Sequence, residues 1–374
     1  MVAENTISLT DQDNTNSKDA EFIFDELAQV AKKVELCPEL PQDLKERADQ
    51  FLNRLNRMAH TGVYGAEFDT ISHYIDVITS IPWNKYTEDN LDLARMKQQL
   101  DAGHYGMEGV KNLILEYMAT MRLLKERSEI GEAPRAPILL LVGLQGVGKT
   151  TIAISLAKAM GREYVRIAMG AIGSVLEIRG KSKALPSAEP GQIIKGLMKA
   201  KVMNPLILLD EIEKASGQEG TRSDIMASLL EILDPSQNIA FRDHYVDYPV
   251  NLSKAMFMCT ANNTGTLSAA LMDRMHVVKM PSYTDEEKIV ISRDYLLPGI
   301  LKNNGLKPEE MQIDPNLWPS IVRPFGFDSG IRSLGRTLEA MCRKVAKELV
   351  EGKHTGVYIT AENLKNYLPD TSIR

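Results

Sequence analysis

The chain has 374 residues, 44% of them hydrophobic and 25% charged, with a formal net charge of -6. That length predicts more than one domain with a sizeable core, and the acidic balance excludes a general attraction to nucleic acid or anionic membrane. Cys37, Cys259 and Cys342 form no Cys-x-x-Cys pair and read as three buried thiols, no apolar run suits a membrane span, and the polar start has no signal pattern, so a cytoplasmic location is expected.

Residues 1–20, rich in Asn, Asp, Thr and Ser, are predicted to be a disordered tail. Over 21–100 a helical N-terminal segment and linker are expected. Phe24, Leu27, Ala31 and Val34 recur at helical spacing, Pro38 and Pro41 break the run, and Leu44, Phe51, Leu52 and Leu55 begin another helix. A linker, Ile81-Pro-Trp-Asn-Lys-Tyr-Thr87, follows at about Ser80. Over 101–282 the pattern predicts an α/β domain. Val110, Leu113, Ile114, Tyr117, Met118 and Met121 form one face of an amphipathic helix, and the apolar runs at 138–142, 164–168, 206–209, 255–260 and 276–280 alternate with helical patterns. Such alternation predicts a parallel sheet with helices on both faces. Over 283–374 a small, mainly helical lid is expected, opened by the capping box Thr284-Asp-Glu-Glu287, with a helix over 333–350 and a strand candidate at Val357–Ile359.

Between the first apolar run and the next helix stands Gly143-Leu144-Gln145-Gly146-Val147-Gly148-Lys149-Thr150, a complete G-x-x-x-x-G-K-T phosphate loop, with Thr151 opening the helix. Glycines let successive N–H groups curl around a polyphosphate, and the helix N-terminus adds its dipole. In this context Lys149 would reach the β- and γ-phosphates of a nucleotide, and Thr150 offers its hydroxyl to Mg²⁺. The run Leu206-Ile-Leu-Leu ends in Asp210 and Glu211. Strand alternation would send these two carboxylates in different directions, Asp210 to the Mg²⁺ shell and Glu211 to the attacking water.

These elements together resemble an AAA+ ATPase. His104-Tyr-Gly-Met107, Arg179-Gly180, Leu233-Asp-Pro235, Asp243-His-Tyr245, Asn251-Leu-Ser253 and Leu296-Leu-Pro298 are similar to motifs of the ATPase module of Lon proteases, in order from roughly 21 to 368. The resemblance implies that Asn262 is sensor 1, aligning the attacking water. It implies that Arg274 is an arginine finger reaching a neighbouring subunit, and that Arg332 is sensor 2 on the lid. It places His104, Tyr105 and Met107 at the adenine pocket, with packing of the linker onto the core as the other reading. A finger supplied in trans implies a homo-oligomer, expected as a hexameric ring. Polypeptide substrates are implied as well.

The chain departs from that family in two respects. The proteolytic domain with a Ser-Lys dyad has no counterpart up to Arg374; Ser155-Leu-Ala-Lys158 fits S-x-x-K but lies in the phosphate-loop helix and reads as packing. No peptidase chemistry is expected, and a separate protease subunit is an implied partner. In the substrate-gripping pore loop, Leu185 stands where the family has an aromatic residue, followed by Pro186. Leucine keeps apolar bulk without a rigid ring, so weakened threading is expected. A switch or scaffold that hydrolyses ATP without threading is the competing expectation. The basic run Lys181, Lys183, Lys195, Lys199 and Lys201 reads as a solvated face rather than a nucleic-acid site.

Overall fold

The computed structural model describes residues 25–60, 66–127, 137–185, 187–215, 219–323 and 330–369. The tail expected over 1–20, Phe24 and the loop residue Pro186 lie outside them. The chain divides into two compact units, each discontinuous in sequence. One takes the chain up to Thr87 together with Ala171–Pro205 and Ser216–Ala255, and the other takes Glu88–Gly170, Leu206–Ala215 and the chain from Met256.

The first unit opens with helices over 25–35, Gln42–His60 and Ala66–Ser80, with Pro38 and Pro41 in the break between the first two. Leu44, Ala48, Leu55 and Ala59 form the buried stripe of the second helix, as the apolar spacing predicts. The linker from Ile81 is irregular but anchored: Trp83 is buried and donates its Nε1–H to the Ile78 carbonyl at 2.8 Å. Three further helices, Val175–Arg179, Gln192–Ala200 and Glu219–Leu233, and a two-residue antiparallel ladder, Phe241–Arg242 with Pro249–Val250, complete this unit. Cys259 and Cys342 are buried as expected, but Cys37 is only partly so, because it sits in the exposed break after the first helix.

The second unit is built on a parallel sheet of β1 (Leu139–Val142), β2 (Tyr164–Ala168), β3 (Leu206–Asp210), β4 (Met256–Ala261) and β5 (His276–Lys279), in the order β2-β3-β4-β1-β5. Its central strands are almost wholly apolar because both faces are buried. Leu139, Leu141, Leu206, Leu208, Met256 and Met258 pack under helices Leu93–Gly103, Glu108–Arg127 and Lys149–Met160, while Leu140, Ile207, Leu209, Phe257 and Cys259 are buried on the alternate positions. The carboxyl ends of β1, β3 and β4 lie side by side, since β4 pairs with both neighbours. Such a crevice is where open parallel sheets place their ligands.

The lid within this unit begins with the predicted capping box, Thr284 and Glu287 bonding reciprocally. Helix Arg332–Val350 supplies Leu334, Leu338, Met341 and Val345 to a core with Trp318 and Ile321. The predicted strand Val357–Ile359 pairs in parallel with Met311–Ile313, a partner too short for its alternation to be read from sequence.

Candidate functional site

The phosphate loop joins β1 to helix Lys149–Met160. Gly146 and Gly148 have φ of +81° and +94°, the left-handed region that other residues enter at a cost, which explains glycine there. Gly148 caps the helix without a side-chain bond, which leaves first-turn N–H groups for a ligand to accept from. Lys149 is 8% exposed. Its ammonium donates to the carbonyls of Gly143 at 2.6 Å and Leu144 at 2.9 Å, and to Asn262 Oδ1 at 3.0 Å. Burial pulls its pKa down, opposed by the charges of Glu213, Asp210 and Glu211.

Asp210 closes β3 and is 5% exposed. Its Oδ1 accepts from the Thr260 hydroxyl at 2.6 Å and lies 3.4 Å from Thr150 Oγ1. Its Oδ2 accepts from Arg166 Nε at 2.7 Å and faces the same guanidinium's second nitrogen at 2.6 Å. A hydroxyl and a carboxylate oxygen this close are hard donors that fit a small divalent cation completed by phosphate and water. Glu211 diverges from Asp210 for a reason other than strand alternation: it lies past the strand in a left-handed turn, φ 58°, with its N–H bonded to Thr260 Oγ1 at 2.8 Å. Its carboxylate is paired with Lys214 at 2.9 Å.

A cavity of about 670 Å³ gathers Gln145, Gly146, Gly148, Lys149, Thr150 and Thr151 with Asp210, Glu211, Asn262 and Arg332. Gly143, Leu144 and Val147 support it from behind, the first two through their carbonyls and buried Val147 through a carbonyl that accepts from Tyr283. Arg332 enters at the first residue of its helix, and Ile331 N–H bonds the Gly146 carbonyl at 3.3 Å, tying lid to loop. Arg274 lies away from the cavity, exposed after the short helix Ala269–Met272, and donates to Ala270 O. His104, Tyr105 and Met107 do not line it. Buried His104 contacts Ser155 at 3.1 Å, which also gives Ser155 the packing role expected of it, and Tyr105 meets Tyr295 edge-on at 6.2 Å.

Four residues of this cluster carry no obvious motif signal. Thr260 is a lone hydroxyl inside the apolar strand β4, Arg166 a lone charge in β2, and Glu213 and Lys214 follow Glu211 in an acidic-basic run that reads as solvated. The two strand residues could have been flagged, because a polar group in a buried strand needs a partner.

In the first unit, Leu185 is 50% exposed in the loop between Gly180 and Gly191. Asp243 closes the neck of that loop: fully buried, it accepts from the N–H groups of Gly191, Tyr245 and Val246, and a Cβ on Gly180 would come within 2.6 Å of its Oδ1. Burial raises the Asp243 pKa, and the three N–H donors oppose the rise. Lys183 departs from the expected solvated face. Its ammonium stacks on Tyr74 at 4.4 Å and on Phe51 at 5.4 Å, and burial lowers its pKa. Lys195 is paired with Glu189.

The family model of the ATPase family associated with various cellular activities (AAA) matches residues 139–282, and that of the Lon protease AAA+ ATPase lid domain matches 302–357. The chain is 41% identical over 360 residues to Lon protease 2 of Thermus thermophilus, covering 93% of this chain and 44% of that protein. It is 40% identical over 343 residues to Lon protease 1 of Bacillus subtilis, covering 92% and 43% respectively. For the Lon protease of Acinetobacter baumannii the identity is 40% over 346 residues, covering 92% and 41%. The chain therefore spans less than half the length of these relatives. With the ATPase region and the lid each matched in place around one phosphate-binding crevice, the chain belongs to the AAA ATPases and carries the ATPase module of the Lon protease family.

Proposed function

We propose that this chain hydrolyses ATP in a Mg²⁺-dependent reaction and uses the conformational change to unfold or remodel polypeptides. The observation that carries the reading is the convergence of Lys149, Thr150, Asp210, Glu211, Asn262 and Arg332 on one cavity. Lys149 and the loop N–H groups bind the polyphosphate, and Arg332 meets it from the lid. Thr150 and Asp210 would hold Mg²⁺, which when bound neutralises charge on the phosphate oxygens. Glu211, released from Lys214, takes the proton of the attacking water, and the Asn262 amide orients that water. Gln145 and Thr151 border the phosphates. His104 and Tyr105 serve by packing behind the loop, against Ser155 and Tyr295 respectively.

Arg274, exposed and outside the cavity, suits a role in a neighbour's site, and hence a homo-oligomeric, hexameric ring. Leu185 with Pro186 forms the substrate-contacting loop, and proteolysis would come from a separate protease region or subunit. A cytoplasmic setting goes with this reading. The half-exposed leucine in place of an aromatic ring favours, as the second reading, an ATP-driven switch that threads nothing.

The test is ATP turnover and nucleotide binding by the purified chain with Lys149→Ala and Glu211→Gln. Lys149→Ala should abolish binding, and Glu211→Gln should keep binding while turnover falls on the order of 100-fold or more. Full turnover in Glu211→Gln would remove the assignment. Unfolding of a tagged fluorescent substrate by wild type, Leu185→Tyr and Leu185→Gly at matched turnover separates the two readings, since a switch would show no difference.

A further inference from the structure

Glu213 lies in the short 3₁₀ turn Ile212–Lys214 that follows β3, and Asn262 is the first residue past β4, the adjacent strand. Glu213 Oε1 accepts two hydrogen bonds from Asn262, one from its backbone N–H at 3.0 Å and one from its side-chain Nδ2 at 2.7 Å. The other end of the same amide, Oδ1, accepts from the Lys149 ammonium at 3.0 Å. An amide has one donating and one accepting end, so its orientation is decided by what each end meets. Here a flip would turn Nδ2 toward the ammonium and Oδ1 toward the carboxylate, exchanging two attractive contacts for two repulsive ones.

The second carboxylate oxygen, Oε2, is buried without a hydrogen-bond partner. Leaving such an oxygen unpaired is unfavourable for folding, so stability alone does not account for this side chain. The negative charge is also foremost among those that oppose the burial of Lys149.

We propose that Glu213 is a positioning residue of the ATPase site, which fixes the rotamer and polarity of the Asn262 side-chain amide by accepting from both its Nδ2 and the backbone N–H of the same residue. The carboxylate thereby ties the tips of β3 and β4 to the phosphate-loop lysine through one chain of hydrogen bonds. Glu213 does not line the cavity, and it acts through Asn262. This inference rests on the reading of the cavity as an ATP-hydrolysing site, and it assigns a role to a residue that the motifs leave unassigned.

Two conservative substitutions separate reach from charge. Glu213→Gln keeps the length and the accepting oxygen and removes the charge, whereas Glu213→Asp keeps the charge and withdraws the oxygen by one methylene. Turnover and binding of a fluorescent ADP are measured on the full chain for both, for Asn262→Ala and for Glu213→Asp/Asn262→Ala. Thermal melts confirm that each variant is folded. Glu213→Gln should stay within about threefold of wild type, and Glu213→Asp should lose about 10- to 100-fold in kcat with ADP affinity changed by less than about threefold. The double variant should be no slower than Asn262→Ala alone. Glu213→Gln falling as far as Glu213→Asp, or losses that add in the double variant, would overturn the inference while wild-type turnover left the ATPase reading standing. Absence of turnover in the wild type would remove both.

Discussion

The Thr260 hydroxyl donates to Asp210 Oδ1 at 2.6 Å and at the same time accepts the backbone N–H of Glu211 at 2.8 Å. One buried side chain from β4 therefore sets both carboxylates at the end of β3: it aims the first and holds the turn that swings the second away. Asp210 and Glu211 acquire different surroundings because their neighbour strand carries an oxygen at that height.

Thr260→Val keeps the shape and removes that oxygen. It leaves the Glu211 N–H without its partner and Asp210 Oδ1 with only the long 3.4 Å contact to Thr150, which should cost about 1–3 kcal/mol of stability. Urea denaturation reads this directly, and ATP turnover should fall with it. Thr260→Ser restores the hydroxyl and should recover most of both. A valine variant of wild-type stability and turnover would show that the hydroxyl sets neither carboxylate.

Arg166 competes for the carboxylate that would serve a metal. Two of its nitrogens converge on Asp210 Oδ2, yet the arginine side chain is half exposed, so its hold is moderated by solvent. Removing the guanidinium in Arg166→Gln should lower the Mg²⁺ concentration needed for half-maximal turnover by about threefold or more. Arg166→Lys should lie between the two. An unchanged or raised requirement would mean that Arg166 orients Asp210 for the metal and does not compete with it.

Gly330 stands where the lid meets the phosphate loop. A Cβ there would come within 2.3 Å of the Gln145 carbonyl oxygen and 2.7 Å of Gly146 backbone atoms, contacts that no rotamer change relieves. Gly330→Ala must push Ile331 off the Gly146 carbonyl and carry Arg332 with it. Since about 1 Å of displacement at a reacting site can cost on the order of 100-fold, kcat/KM for ATP should drop by a factor of that order. Retention of wild-type kcat/KM would show that the lid need not touch the loop.

His104 is 5% exposed, and burial lowers its pKa from 6.5 to about 4. The unfolded chain takes up a proton below pH 6.5 that the folded chain refuses until about pH 4, so this residue's stability contribution is lost as pH falls through that window. The loss should approach about 3 kcal/mol at the lower end. His104→Gln should flatten the fall in urea midpoint between neutral pH and about pH 4.5. Parallel profiles for wild type and variant would refute the assignment.

Much of this protein is written along the chain, because it depends on local pattern. Alternating apolar runs and helical stretches specify a parallel sheet, the glycines of 143–148 specify a loop that must enter left-handed space, and Thr284 with Glu287 specifies a helix start. Lys149, Thr150, Asp210 and Glu211 are legible for the same reason, being fixed by spacing to strand ends and a helix start. What only the tertiary structure decides is which distant residues share a hydrogen bond. Thr260, Arg166 and Glu213 lie far from one another in sequence and look like a stray hydroxyl, a stray charge and a solvated acid. Pairing β3 with both β2 and β4 brings them to Asp210 and Asn262, so a buried polar group that spacing cannot interpret gains its partner from the neighbouring strand. The same holds for Asp243, whose meaning as the clasp of the Leu185 loop depends on Gly180 and Gly191 folding back onto it.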